Sequence, residues 1–161
     1  MIFEEYVRRR GQSLMRLAYL LTGDPHLAED LTQTALTDAY RHWKKVTDAR
    51  NPHAYVQRIL TNTYLGWRRR RSFTERPVDP HHTIHQPTPA PDASDPTAAR
   101  DHTDRLLAHL APRARTILVL RYYLDLADAD IADTLGITPS AVRATASRAL
   151  ATLRATSEET T

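Results

Sequence analysis

A cluster of basic side chains with aromatic rings between them is the part of this sequence best suited to binding chemistry. Residues 41–71 carry nine Lys or Arg side chains and one acidic residue, Asp48. The nine are Arg41, Lys44, Lys45, Arg50, Arg58, Arg68, Arg69, Arg70 and Arg71. The interleaved aromatic residues are Trp43, Tyr55, Tyr64 and Trp67. Because phosphates attract cations and unpaired bases stack on aromatic rings, the segment predicts contact with a nucleic acid strand.

Two other interpretations of this segment stay open. The run from Arg68 to Arg71 is also typical of a solvated helix end, where cations interact favourably with the helix dipole. Trp67 falls on an apolar stripe of its predicted helix, which favours a position in the core over a stacking role.

A second basic surface is predicted near the C-terminus. Ile131, Ala132 and Leu135 indicate a short helix that stops at Gly136, and a longer helix follows from Thr138-Pro139 to about Arg154. This is the pattern of a helix-turn-helix. At 3.6 residues per turn, the apolar side of the last helix consists of Val142, Ala146, Ala149, Leu150 and Leu153.

The opposite side of that helix carries short side chains and arginines, with Arg148 at its edge. Its members are Ser140, Arg143, Ala144, Ser147, Ala151 and Arg154. Short side chains let a helix approach the major groove, and Arg reaches guanine edges and phosphates. The pattern therefore favours a recognition helix, although a tight helical corner without DNA contact has the same shape.

Three helix starts repeat one local motif, a hydrogen-bond acceptor followed by proline. They are Asp24-Pro25, Asn51-Pro52 and Thr138-Pro139, where the acceptor caps the helix and proline occupies its first turn. Together with apolar periodicity they predict helices over residues 3–21, 25–45 and 52–71, and two more around residues 106–110 and 117–122.

The same periodicity predicts which side chains face the core. The second helix should bury Leu27, Ala28, Leu31, Ala35 and Ala39. The third should bury Val56, Ile59, Leu60, Thr63 and Trp67, which leaves Arg58, Asn62 and Arg69 on other faces.

The segment between these two groups of helices has a different composition. Six of the ten prolines and three His lie between residues 76 and 97, with few apolar side chains. Such a segment buries too little surface to offset its ordering entropy. The predicted fold is all-α, with two small helical domains over residues 1–75 and 99–156, a flexible Pro-rich linker over 76–98 and a tail over 157–161. The C-terminal domain contains the helix-turn-helix.

Composition also bears on catalysis, metals and location. The chain has no Cys, which excludes disulfides and thiolate metal sites. His81, His82 and His85 could be metal ligands, but a solvated stretch of linker is favoured. We expect no metal, no cofactor and no enzymatic activity.

The N-terminus has no apolar run long enough for a signal peptide or a membrane span, so we expect a cytoplasmic protein without membrane insertion.

Two sets of residues resemble a known family. Leu17-Ala18-Tyr19-Leu20-Leu21-Thr22-Gly23-Asp24, followed by Leu27-Ala28-Glu29-Asp30-Leu31, is similar to the polymerase-binding helices of extracytoplasmic-function sigma factors of the sigma-70 family. Leu118-Val119-Leu120-Arg121-Tyr122-Tyr123, Leu135-Gly136-Ile137 and Ser147-Arg148-Ala149-Leu150 resemble their C-terminal DNA-binding domain. The Tyr-Leu-Leu-Thr-Gly and Ser-Arg-Ala-Leu signatures are most similar to the actinobacterial SigE-type subgroup.

The resemblance implies a function in promoter recognition and melting, with core RNA polymerase and promoter DNA as partners. It implies polymerase contacts through Asp30, Gln33 and Asp38. Residues 45–51, with Asn62, would form a pocket for a base flipped from the minus-ten element. Phosphates near that element would be held by Arg58, Arg68, Arg69, Arg70 and Arg71, and Lys45 and Arg50 belong to the same surface. The minus-thirty-five element would be read by Ser140, Arg143, Ser147 and Arg148. An anti-sigma protein is a further implied partner.

The sequence leaves a rival function open and departs from the family pattern at several positions, Ala127 among them. The rival is a stand-alone helix-turn-helix regulator, although such proteins generally need a dimer surface and no heptad seam is visible. Ala127 stands where the family usually has a Ser or Thr that caps the first helix of the turn, unless Asp128 caps instead.

Overall fold

The chain divides into two compact helical units, Met1–His82 and Thr83–Thr161, in a computed structural model that describes residues 1–74 and 96–159. Within those described ranges every regular element is a helix, which confirms the predicted all-α class. Most of the linker predicted over residues 76–98 lies outside the described residues. Its last three residues, 96–98, form the first turn of a helix.

Over residues 1–74, the first unit contains four helices around one core. They are α1 (Phe3–Thr22), α2 (Pro25–Arg41), α3 (Trp43–Asp48) and α4 (Pro52–Thr74). Helix α2 packs against both α1 and α4, and α1 also contacts α4. The fully buried side chains at these contacts are Leu14, Leu17, Leu21, Leu31, Val56 and Leu60, with Ala28, Ala35 and Ala39. Small side chains on α2 allow the close approach of its two neighbours.

The three acceptor-proline motifs begin helices as predicted. The side-chain oxygens of Asp24, Asn51 and Thr138 each accept a hydrogen bond from a backbone amide in the following turn. The donors are the amides of His26 and Leu27, of Ala54, and of Ala141, at 2.8–3.1 Å. Gly23, at φ 69°, ends α1 in the left-handed conformation that favours glycine.

The prediction of a single helix over residues 25–45 is wrong. Helix α2 ends at Arg41, His42 leaves helical geometry at φ −116° and ψ 29°, and α3 begins at Trp43. The break places the Trp43 ring against Phe3 and Tyr6 of α1, at centroid distances of 5.4 and 5.5 Å. Lys45 therefore lies in the short helix α3.

The second unit contains α5 (Pro96–Ala108), α6 (Pro112–Leu118), α7 (Asp128–Leu135) and α8 (Pro139–Glu159). Helix α6 continues directly into a π-helical segment, Val119–Tyr123. The core is formed by Ile117, Leu118, Leu120, Ile131, Ala132, Val142, Ala146 and Ala149. The apolar pattern grouped Tyr122 with Ile117, Leu118 and Leu120, but Tyr122 is 57% exposed. The extra residue in a π-helical turn rotates the following side chains around the axis.

Helix α7 begins without a side-chain cap, and this leads to a stability prediction. Its N-cap is Ala127 at φ −68° and ψ 152°, a conformation in which Ser would cap, and Asp128 instead pairs with Arg121 at 3.4 Å. We expect Ala127→Ser to raise the free energy of unfolding by about 1 kcal/mol, measured by urea denaturation. Ala129→Ser, an exposed position in the same first turn, is the matched control. An equal effect of both substitutions would contradict the capping explanation.

Candidate nucleic-acid interface

The turn between α7 and α8 is fixed by backbone hydrogen bonds. The amides of Gly136 and Ile137 both donate to the carbonyl oxygen of Ala132. Gly136 has φ 70°, which is why glycine is favoured there. Thr138 then caps α8. This closed turn confirms the helix-turn-helix predicted from the sequence.

Helix α8 separates its buried and exposed residues as the helical wheel predicts. Val142, Ala146 and Ala149 are buried, whereas Leu150 and Leu153 are half-buried and pack at the edge of the same core. All six residues predicted on the outward side, and Arg148 as well, are exposed. The candidate site residues Ser140, Arg143, Ser147 and Arg148 therefore share one accessible surface.

The outward surface of α8 has small residues along its middle and arginines on both flanks. At about 100° per residue, its middle consists of Ser140, Ala144, Ser147 and Ala151. Arg143 and Arg154 lie on one flank, and Arg148 lies on the other, where its Nη2 is 3.4 Å from Thr145 Oγ1. Between residues 139 and 157 the sequence contains these three arginines and no Asp or Glu. The arrangement suits a negatively charged groove whose floor must be approached closely.

Helix α4 presents a second basic surface. Arg58, Asn62 and Arg69 are exposed and lie within about 40° of one another on the wheel. Arg58 and Arg69 are about 16 Å apart along the axis. The four consecutive arginines at positions 68–71 are all exposed, and steps of about 100° distribute them around the helix. A polyanion can therefore follow one side of α4 and meet cations at several points.

Two aromatic residues of α4, Tyr64 and Trp67, differ in burial from what the sequence predicts. Tyr64, expected among the stacking residues, is only 6% exposed and belongs to the buried stripe with Val56 and Leu60. Trp67, expected in the core, is half-buried. The guanidinium of Arg68 lies 6.0 Å from the centroid of the Tyr64 ring. The buried residues Val56, Leu60 and Tyr64 recur every four residues, and Trp67 lies at an angle between those of Val56 and Leu60, further along the helix.

The segment between α3 and α4 is short and exposed. Residues 49–51 connect the two helices, and Arg50 is exposed, as is Lys45 on α3. The Asn51 side chain is committed to capping α4 through Oδ1, which accepts from the Ala54 amide at 3.1 Å. We refer to residues 49–51 as the α3–α4 loop.

Sequence reasoning missed an aromatic cluster beside the α3–α4 loop. Tyr6 of α1 is buried, its hydroxyl lies 2.8 Å from His53 Nδ1, and its ring contacts Trp43. Trp43 Nε1 donates to the Met1 carbonyl oxygen at 3.2 Å. The Gln57 amide lies 3.2 Å from His53 Nε2. Tyr6 is distant in sequence from Trp43 and His53, and no local pattern connects them.

The protonation state of the cluster follows from its environment. Burial raises the pKa of Tyr6, against a smaller opposing effect of Arg10. Burial lowers the pKa of His53, and the positive charge of Arg10 lowers it further. Near neutral pH the tyrosine is therefore protonated and the imidazole is uncharged, so that the Tyr6 hydroxyl donates to Nδ1.

The candidate polymerase contacts on α2 do not all share one surface. Asp30 and Gln33 are exposed and lie about 60° apart on the wheel. Asp38 lies about 140° from Gln33, and its Oδ1 is 3.5 Å from Nδ1 of His42. Asp30 and Gln33 therefore lie on one exposed side of α2, and Asp38 lies at the edge of that side.

Searches for a metal site and for a membrane-spanning helix concern the described residues only. No group of three or more His, Cys, Asp or Glu side chains in these ranges has the geometry to hold a metal ion. His81, His82 and His85 lie outside the described residues. Among the helices of residues 1–74 and 96–159, none combines the length and the hydropathy needed to cross a bilayer.

Comparison with known proteins gives consistent matches across both units. Residues 6–74 match the family model described as Sigma-70 region 2, and residues 101–153 match the model described as Sigma-70, region 4. The RNA polymerase sigma-E factor of Streptomyces avermitilis is 38% identical over 157 residues, covering 94% of this chain and 83% of that protein. The ECF RNA polymerase sigma factor SigL of Mycobacterium tuberculosis is 30% identical over 154 residues, covering 91% of this chain and 83% of that protein.

The fold is also found among solved structures. The sigma factor RpoE of Bartonella quintana, determined in complex with the anti-sigma factor NepR, superimposes with a TM-score of 0.67. The match covers 94% of both chains at 20% sequence identity, so the likeness concerns the fold.

Proposed function

Because this chain belongs to the extracytoplasmic-function sigma factors of the sigma-70 family, we propose that it binds core RNA polymerase, recognises promoter DNA and helps to melt it. The observation that carries this proposal is the presence of both sigma-70 regions in one chain, each with an exposed basic helix. The role requires DNA binding in the cytoplasm and no chemical reaction by the chain itself.

The proposed reader of the minus-thirty-five element is the outward surface of α8. Arg143 and Arg148 reach guanine edges or phosphates from opposite flanks, and Ser140 and Ser147 contact base edges from the middle. Because the middle residues are small, the helix axis can approach the groove floor. The fixed turn before α8 holds this surface in one orientation relative to α7.

The proposed site for the minus-ten element is formed by α4 and the α3–α4 loop. Extruding a base costs a few kcal/mol of stacking and pairing, and a pocket that binds only the extruded base offsets part of that cost. Asn62 supplies amide groups that match a base edge. Phosphates on either side of the extruded base would be held by Lys45, Arg50, Arg58, Arg68, Arg69, Arg70 and Arg71.

The proposed polymerase contact is the exposed side of α2. Asp30 and Gln33 form its centre, since they are close together and exposed, and Asp38 contributes at its edge. Polymerase binding makes the two DNA contacts effectively intramolecular, because both units are then attached to one assembly. Neither unit needs high affinity for DNA on its own.

A stand-alone helix-turn-helix regulator is disfavoured as the function. Such a regulator generally needs a dimer surface beside its DNA-binding unit, whereas residues 6–74 match sigma-70 region 2. The proposal also includes an anti-sigma protein as a partner, which would keep the factor inactive by covering the exposed basic surfaces of α4 and α8. Its support is family membership and the accessibility of those surfaces.

The decisive experiment is run-off transcription with purified core polymerase and genomic DNA. We expect defined start sites only when the protein is added, and we expect Asn62→Ala to reduce transcripts from duplex promoters about 10-fold. A 10-fold reduction is what the loss of hydrogen bonds to a desolvated base would cause. Gln12→Ala removes an exposed amide from α1 and serves as the control.

Two outcomes would count against the proposal. If the protein does not associate with core polymerase and directs no initiation, the proposed function is wrong. If Asn62→Ala keeps the yield and start-site choice of the unmodified protein, the base pocket does not involve Asn62.

A further inference from the structure

We propose that Tyr6 is a positioning residue for the α3–α4 loop, because it holds the residues on both sides of that loop. This inference rests on the proposed function of the loop in capturing a flipped base. Tyr6 itself is 1% exposed and therefore acts on DNA only through its neighbours.

The contact before the loop is made through Trp43, the first residue of α3. Its ring lies 5.5 Å from the Tyr6 ring and 5.4 Å from the Phe3 ring, measured between centroids. Its Nε1 donates to the Met1 carbonyl oxygen at 3.2 Å. Helix α3 has six residues, too few to be stable without such packing. The beginning of α1 therefore helps to fix the position of α3, together with the contacts that α3 makes with α2 and α4.

The contact after the loop is made through His53, in the first turn of α4. Its Nδ1 accepts from the Tyr6 hydroxyl at 2.8 Å, and the two rings are 5.9 Å apart. The Gln57 amide, 3.2 Å from Nε2, fixes the imidazole from its other edge. A single buried tyrosine thus connects α1 to the residues that both precede and follow the loop.

The loop has little packing of its own. In the segment from residue 43 to residue 53, Val46 is the one fully buried side chain. A site that distinguishes one base from another needs its groups held to about 0.5 Å. In this segment such precision depends on contacts from outside, and the Tyr6 cluster provides them on both sides.

The test is Tyr6→Phe, which keeps the ring and removes the hydrogen bond to His53. Holoenzyme is assembled with core polymerase, and open-complex formation is measured by permanganate reactivity on a promoter identified by run-off. Four promoter templates are compared, each with a different base at the minus-ten position from which the base is flipped. We expect the discrimination ratio between the preferred base and the others to fall about 2- to 10-fold, as for the loss of one hydrogen bond.

A purely structural role would give a different result. Thr32→Val removes a buried hydroxyl that donates to the Ala28 carbonyl oxygen at 2.7 Å, far from the loop in sequence. We expect this control to leave the discrimination ratio unchanged, even where it lowers the unfolding temperature. Trp43→Phe, which loses the bond to Met1, should lower the ratio in the same direction as Tyr6→Phe. It also tests the inference if Tyr6→Phe does not fold.

The possible failures are distinguishable. Unmodified holoenzyme that opens no promoter, or opens all four templates equally, would overturn the proposed base pocket and this inference together. Discrimination by the unmodified protein that persists in Tyr6→Phe and in Trp43→Phe would overturn this inference alone. An equal loss of discrimination in Thr32→Val would show that general destabilisation accounts for the effect.

Discussion

Arg143→Ala is expected to reduce transcription from a promoter that depends on its minus-thirty-five element by about 10-fold or more. A bidentate contact between Arg and guanine contributes about 1–3 kcal/mol of discrimination. Arg143 is exposed on the outward surface of α8, and its loss leaves the helix-turn-helix core unchanged. The measurement is run-off transcription from templates with an intact or a scrambled minus-thirty-five element.

Two further variants separate base reading from general attraction to DNA. Arg113→Ala removes an equally exposed charge from the first turn of α6 and should have little effect. Arg143→Lys keeps the charge and loses the planar fork. If Lys restores activity, Arg143 contacts a phosphate. If Arg143→Ala reduces transcription from both templates equally, it does not read the element.

Ile131→Ala is expected to lower the free energy of unfolding of the second unit by about 2–5 kcal/mol, the range for truncating a large buried aliphatic side chain. Ile131 is 0% exposed and lies in the core between α7 and α8. The cavity cannot be filled without moving one of these helices, and such a movement would disturb the orientation of α8.

The graded control is Ile131→Val, for which a loss of about 0.5–1.5 kcal/mol is expected. Urea denaturation followed by circular dichroism gives both values. A loss of less than 1 kcal/mol in Ile131→Ala would mean that the site collapses around the smaller side chain and that α7 and α8 are not rigidly packed.

The features predicted correctly from the sequence depend on local chemistry. Asp24, Asn51 and Thr138 each precede a proline, and each caps a helix, because an acceptor and a ring without an amide hydrogen satisfy the first turn in any fold. The inward and outward residues of α8 were also predicted, since a strongly periodic helix on the surface of a small unit has one possible buried side.

The features that the sequence did not predict depend on tertiary contacts. No Gly or Pro marks the break at His42, and the helix ends there because Trp43 packs against α1. Tyr64 and Trp67 lie about 60° apart on α4, and the helices that pack against α4 at each position decide which of them is buried. The cluster of Tyr6, Trp43 and His53 joins three helices, so that only the folded chain reveals it.

Under the proposed function, the separation of buried and exposed residues along α8 has a consequence for how new promoter preferences would arise. Ser140, Ala144, Ser147 and Ala151 can be exchanged without altering Val142, Ala146 or Ala149, which form the core. Changes in DNA specificity should therefore carry little stability penalty. Libraries randomised at the four outward positions are a practical starting point for a set of factors that share one polymerase and address separate genes.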